Sequence, residues 1–168
     1  LKPEDDTGDY VNVWDPRYKK HLVERGHRLV DVLRYSSRID VVAREALSGF
    51  KEGFAAERFL RERLSIHGDF NRGVVETYLY LLSRNTDTIV YLKHGARVAS
   101  EVSERARKAL EAILREGGKW RIHAWKLDKE LSARSINPGS VADLTAETIA
   151  LYLLRNVLEG RTLLDLSQ

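Results

Sequence analysis

The sequence contains no cysteine, which excludes a disulfide framework, a thiolate nucleophile and any cysteine-ligated zinc or iron–sulfur centre. Methionine is absent as well, so there is no initiator residue, and the expectation is a chain that begins inside a longer gene product whose N-terminal segment completes it. Prolines stand only at positions 3, 16 and 138, leaving a long stretch in which every residue can donate a helical hydrogen bond. No apolar run approaches the roughly 20 residues that span a bilayer. The opening Leu1-Lys2-Pro3-Glu4-Asp5-Asp6 is acidic where a secretory signal is basic and then apolar. These absences predict a soluble, cytoplasmic protein without a membrane partner.

Several familiar site signatures are missing too. The histidines at 21, 27, 67, 94 and 123 show no His-x-x-x-His spacing, and there is neither a glycine-rich Walker loop nor a Gly-x-Ser-x-Gly elbow. Zinc-hydrolase, P-loop and serine-hydrolase chemistry therefore drop out. Charge is abundant but mixed: 28 Lys and Arg stand against 25 Asp and Glu, a formal net charge of +3. The two signs interleave as on a solvated helical surface, so a dedicated nucleic-acid face is not expected.

What is present reads as an all-α, single-domain helical bundle, part of a larger all-helical enzyme, with residues 1–15 a candidate flexible arm. At 168 residues one domain buries roughly 70% of its unfolded surface, enough for a core without covalent staples. Apolar residues recur at helical spacing from Tyr18 to about Tyr35 and from about Arg38 to Phe50. The pattern continues from Gly53 to Ile66, breaks at His67-Gly68-Asp69, and resumes from Asn71 to Ser83. That last segment is apolar nearly all round and so belongs at the centre. Asn85 ends it, and Thr86 opens a helix that bends around Gly95 and runs to Leu114, where Gly117-Gly118 stops it. A tail helix opens at Ser140 and continues to about Leu158. The tract Lys119 to Leu127, with Trp120, His123 and Trp125, reads as a connection of unassigned structure. Broad apolar faces make a homodimer one further expectation.

Two stretches have the makings of a site. Asn137-Pro138-Gly139-Ser140-Val141-Ala142-Asp143 joins a turn to a helix start, where several free N–H groups and the positive dipole end would gather around a phosphate. The same residues also read as a plain cap, since Ser140 and Asp143 have nearly capping-box spacing. Asp87 and Thr88 open another helix, with Lys93 and Gly95 two turns in. They suit a metal-bound triphosphate, with Lys93 as its point charge, and equally suit an ordinary N-cap. Asp40 and Glu45, beside Arg34 and Arg38, are either an inward-facing charged cluster or a surface pairing, the surface pairing being the commoner arrangement.

Taken in order, Thr86-Asp87-Thr88-Ile89, Lys93-His94-Gly95, Asp128-Lys129-Glu130-Leu131 and Asn137 to Leu144 resemble the C-terminal motif set of the triphosphoribosyl-dephospho-coenzyme A synthases. A weaker likeness runs through Ser37 to Glu45 and Phe70-Asn71-Arg72-Gly73. The Pro-Lys-Pro-Gly-type and His-Lys-Gly-type motifs of that family's N-terminal portion have no counterpart here. The resemblance implies transfer of a triphosphoribosyl group from ATP, carried with Mg2+, to the ribose 2′-hydroxyl of dephospho-coenzyme A with release of adenine. Asp87 and Asp143 are then the catalytic and metal-binding carboxylates, and Thr88, Lys93, Gly95, Asp128, Asn137, Gly139 and Ser140 contact substrate. Asp40 and Glu45 are weaker candidates. The Glu, Lys and Arg content resembles that of a thermophile, which leaves open a different coenzyme precursor as acceptor. A non-catalytic helical interaction domain and a metal-dependent nucleotide phosphohydrolase are the competing readings.

Overall fold

The computed structural model describes residues 20 and 22–161; the expected arm over 1–15 and the start of the helix expected from Tyr18 lie outside them. The described residues form α1 (Leu29–Ser36), α2 (Val41–Ser48), α3 (Lys51–His67), α4 (Phe70–Arg84), α5 (Thr88–Glu116), a 3-10 turn (Gly117–Lys119), α6 (Trp120–Ala133) and α7 (Gly139–Leu158). No strand occurs among them. The all-α expectation is met, and no described helix is long and apolar enough to cross a membrane.

The core explains the order. Helix α4 packs against α3, α5 and α7, and its Leu79, Leu81 and Leu82 are buried together with Leu60, Val90, Val102, Ile113, Val141 and Leu144. Its apolar circumference thus matches its central position. Helix α2 packs on α1, α3 and α7, whereas α6 leans on the long α5.

Two boundaries differ from those expected, and one bend falls where it was expected. The helix expected over Tyr18 to Tyr35 is broken, because Gly26 takes φ +67° and α1 restarts with the Arg28 N–H donating to Asp31 Oδ2 at 3.0 Å. The unassigned tract Lys119 to Leu127 is helical: only Gly117–Lys119 forms the turn, and Trp120 to Ala133 is one continuous helix. Its aromatic and charged residues hid a modest apolar face, of which Leu127 and Leu131 are buried. At the expected bend, Gly95 takes φ 84° and ψ 168°, non-helical within α5, so the first two turns of α5 set off at their own angle. An L-residue at that φ is strained, which is what glycine avoids there.

A buried ionic cluster ties α3 to α4. Glu76, fully buried, accepts from Arg63 Nε and Arg72 Nε, each at 2.7 Å, and sits 3.2 Å from His67 Nε2. The His67 Nδ1 accepts the Asp69 N–H at 3.1 Å, which leaves Nε2 as the protonated nitrogen facing the carboxylate.

Candidate functional site

Three helix starts converge on two side chains. Asp87 is the N-cap of α5, its Oδ1 accepting the Val90 N–H at 2.9 Å. Its Oδ2 accepts the Val141 N–H in the first turn of α7 at 2.8 Å. One carboxylate, 1% exposed, therefore neutralises the positive ends of two helix dipoles. Beside it the Thr88 Oγ1 accepts the Val41 N–H from the first turn of α2 at 2.9 Å and donates to the Ile39 carbonyl at 3.4 Å. The latch fixes where α2, α5 and α7 begin relative to one another.

This geometry corrects the expected phosphate nest. At the start of α7 the Gly139 N–H donates to the Asn137 carbonyl, the Ala142 N–H to the Pro138 carbonyl and the Val141 N–H to Asp87. Among the described residues only the Ser140 N–H there lacks an acceptor, and Ser140 is buried. The helix start does hold an anion, but the anion is Asp87. The alternative capping box fails too: α7 has no side-chain cap bond from its N-cap residue, and Asp143 is exposed with no hydrogen bond to a described backbone group. Gly139 has a packing reason, because a Cβ there would come within 2.7 Å of Ile89 Cδ1.

The remaining expected residues separate by exposure. Asp143 and Lys93 project to solvent from the second turns of α7 and α5, and Asp128 and Asn137 are exposed on α6 and the α6–α7 connection. Asp40 is the N-cap of α2 and accepts from the Val42 and Ala43 N–H groups at 2.9 and 3.4 Å. Glu45 is buried, accepting the Gly53 N–H at 2.8 Å and the Ser48 hydroxyl at 3.2 Å. The commoner surface pairing of Asp40 and Glu45 is therefore not what occurs; Arg34 pairs with Asp31 instead. Among the described residues no three His, Asp or Glu side chains gather in a way that holds a metal.

Glu45 also faces a second carboxyl. Glu147, one turn beyond Asp143 on the same side of α7, lies beside Glu45 with its Oε1 buried and without a hydrogen-bond partner, and burial together with the Glu45 charge pushes Glu147 up to about 7. The absent Cβ of Gly53 leaves the space that Glu147 Oε1 occupies. A folded-state carboxyl raised above its unfolded value binds more protons when folded. Its stabilisation is complete below about pH 4.5 and is lost as pH rises toward 7, by up to about 3 kcal/mol. Thermal melts are expected to fall over that window, and Glu147→Gln, which carries no ionisable proton, is expected to flatten the slope. Parallel pH profiles in the two proteins would contradict the pairing.

Sequence reasoning missed a cleft beside the latch. A cavity of about 700 Å³ opens between α4, α6 and the α6–α7 connection, with Tyr78, Trp125, Asp128, Ser135, Asn137 and Pro138 around it. The Tyr78 hydroxyl donates to the Pro138 carbonyl at 3.5 Å, and burial, then the charges of Asp87 and Asp128, keep that phenol protonated well above the ordinary tyrosine range. The available signal was Trp125 three residues before Asp128, one helical face on a segment read as a connection.

Comparison with known proteins gives a consistent set of relatives. The family model described as ATP:dephospho-CoA triphosphoribosyl transferase matches residues 5–162. A 2-(5''-triphosphoribosyl)-3'-dephosphocoenzyme-A synthase of Escherichia fergusonii is 32% identical over 124 residues, 72% of this chain and 39% of that protein. The protein so named in Klebsiella pneumoniae is 34% identical over 83 residues, 48% of this chain and 27% of its own length. A solved structure assigned as a triphosphoribosyl-dephospho-coA synthase of Archaeoglobus fulgidus superposes with TM-score 0.68 at 30% identity, over 84% of this chain and 59% of the other. The chain spans about two fifths of the Escherichia fergusonii relative.

Proposed function

Because the chain belongs to the ATP:dephospho-CoA triphosphoribosyl transferase family, we propose that it forms the C-terminal part of an enzyme that moves the 5-triphosphoribosyl group of ATP onto a hydroxyl of dephospho-coenzyme A. In that step the acceptor oxygen bonds to the anomeric carbon, the bond from that carbon to the adenine nitrogen breaks, and adenine leaves with a proton. The single observation that carries the residue assignment is the opposite setting of two neighbouring carboxylates. Asp87 is sealed and spent on two backbone N–H groups, while Asp143 is exposed one turn into the helix that Asp87 positions.

Asp143 is accordingly the reacting-face carboxylate, taking the acceptor hydroxyl proton and opposing the positive charge that develops on the sugar. Asp87 and Thr88 are positioning residues. The exposed Lys93, on the turn before the Gly95 break, offers a point charge to the triphosphate. The residues fit Mg2+ only through exposed carboxylates such as Asp143, because Asp87 is enclosed and no three-ligand group exists among the described residues. Asp143 would complete the ligand set of a magnesium ion carried with ATP, and the ion would supply charge neutralisation to the triphosphate.

Asp143→Asn is expected to lower transfer turnover by at least about 100-fold, within the range of general acid–base contributions. Its melting temperature is expected to stay within about 2 °C of the wild type, as for an exposed substitution. Transfer assays on the intact protein, paired with thermal melts, check this. Undiminished turnover would remove Asp143 from the chemistry.

A further inference from the structure

The cleft between α4 and α6 has the chemistry of a base-binding site. Its inner wall is apolar: Leu79, Leu127, Leu131 and Ile136 are at most 7% exposed. Its mouth is polar and aromatic. Trp125 is 62% exposed, with the Lys129 ammonium 5.5 Å from its ring centroid. Large aromatics normally bury most of their area, so an indole left open at the rim of a cavity is a ready stacking surface. Asp128 and Asn137 line the same mouth, and neither side chain has a hydrogen-bond or ion-pair partner among the described residues. Apolar walls with a few convergent polar groups are what small-ligand sites share, and the volume falls within their usual range.

The polar groups select among ligands. A carboxylate only accepts, so Asp128 favours a ligand edge bearing an amine and repels one bearing a carbonyl. An amide both donates and accepts, so Asn137 matches an amine next to a ring nitrogen, the pairing asparagine makes with adenine. We infer that this cleft binds the adenine ring of a nucleotide, with Trp125 stacking on the base and Asp128 accepting from its exocyclic amine. The inference rests on the transfer reading for which nucleotide it is, since ATP and dephospho-coenzyme A both carry adenine. Pro138, at the cleft edge, immediately precedes α7, so a nucleotide seated there lies beside the start of the helix that carries Asp143.

The test is equilibrium binding, which does not depend on turnover. With Trp14→Phe and Trp120→Phe leaving Trp125 as the reporter, adenosine is expected to quench its fluorescence. Inosine, with a carbonyl in place of the amine, is expected to bind at least about tenfold more weakly, a difference of about 1.4 kcal/mol. Asp128→Asn is expected to bring the ratio below about threefold. Calorimetry on the unsubstituted protein gives the same ratio if the reporter background fails to fold. Whichever of ATP and dephospho-coenzyme A displaces adenosine is the cleft's nucleotide. Absence of adenosine binding to the folded protein, or equal binding of adenosine and inosine, would overturn the inference. Selective adenosine binding without triphosphoribosyl transfer would sink the transfer reading and leave the cleft. Transfer whose KM for both nucleotides survives Trp125→Ala and Asp128→Asn unchanged would do the reverse.

Discussion

Replacing Glu76 by alanine is expected to cost about 3–5 kcal/mol, the range for removing one partner from a buried ion pair, and to lower the melting temperature by about 10 °C. The reason is what remains. Arg63 and Arg72, whose side chains are 11% and 14% exposed, would lose the carboxylate that each contacts at 2.7 Å, and their positive charges would face each other across the α3–α4 turn. Burial alone would raise the Glu76 carboxyl; Arg63, Arg72 and His67 more than offset it and hold the group below its ordinary value. A depressed carboxyl contributes stability above its unfolded value, near 4.5, and loses it as pH falls through the folded one. The wild type is therefore expected to lose stability in acid, and Glu76→Ala to lose less of what it has over the same range. Melting curves of both proteins between pH 3 and 7 provide the check. An alanine variant within about 1 kcal/mol of wild type at pH 7 would show that the cluster contributes little.

The second large effect concerns Asp87. Asp87→Ala removes two charge-assisted bonds, to the Val90 and Val141 N–H groups, and leaves two buried donors unsatisfied. The expected loss is about 2–4 kcal/mol. Asp87→Asn is expected to fall between, because its single amide oxygen can serve one donor while its NH2 confronts the other. Turnover should fall with either variant, because the start of α7 is no longer fixed against α5 and Asp143 moves with it. The contrast with Asp143 separates positioning from chemistry. Asp87 variants lower stability and turnover together, whereas Asp143→Asn lowers turnover alone. Denaturant titrations beside transfer assays read both quantities, and an Asp87→Ala protein as stable as wild type would contradict the latch.

Legibility in the sequence followed the strength of the local signal. The central placement of Asn71 to Ser83 was readable because apolar residues crowd its whole circumference, and the break at Gly95 because one glycine follows two helical turns. Asp87 was recognisable as a cap and as a candidate site residue. What no periodicity carries is the second bond of its carboxylate, to a backbone donor 54 residues away. That long-range contact makes the cap a latch between two helices. The helix at Trp120 to Ala133 escaped notice because its hydrophobic stripe is thin, and the cleft went with it, since Tyr78 and Asn137 come together with Trp125 only in the fold. Of the two readings of Glu45, the inward-facing one matches its burial; its neighbour Glu147 carried no signal, lying on an otherwise ordinary turn of α7.

Triphosphoribosyl transfer is read directly from adenine release. The intact protein is incubated with ATP and magnesium, with and without dephospho-coenzyme A, and free adenine is resolved by liquid chromatography. Adenine is expected only with the acceptor, in amounts equal to the triphosphoribosylated product. Phosphate release without adenine, or no reaction by a folded protein that binds both nucleotides, would contradict transfer.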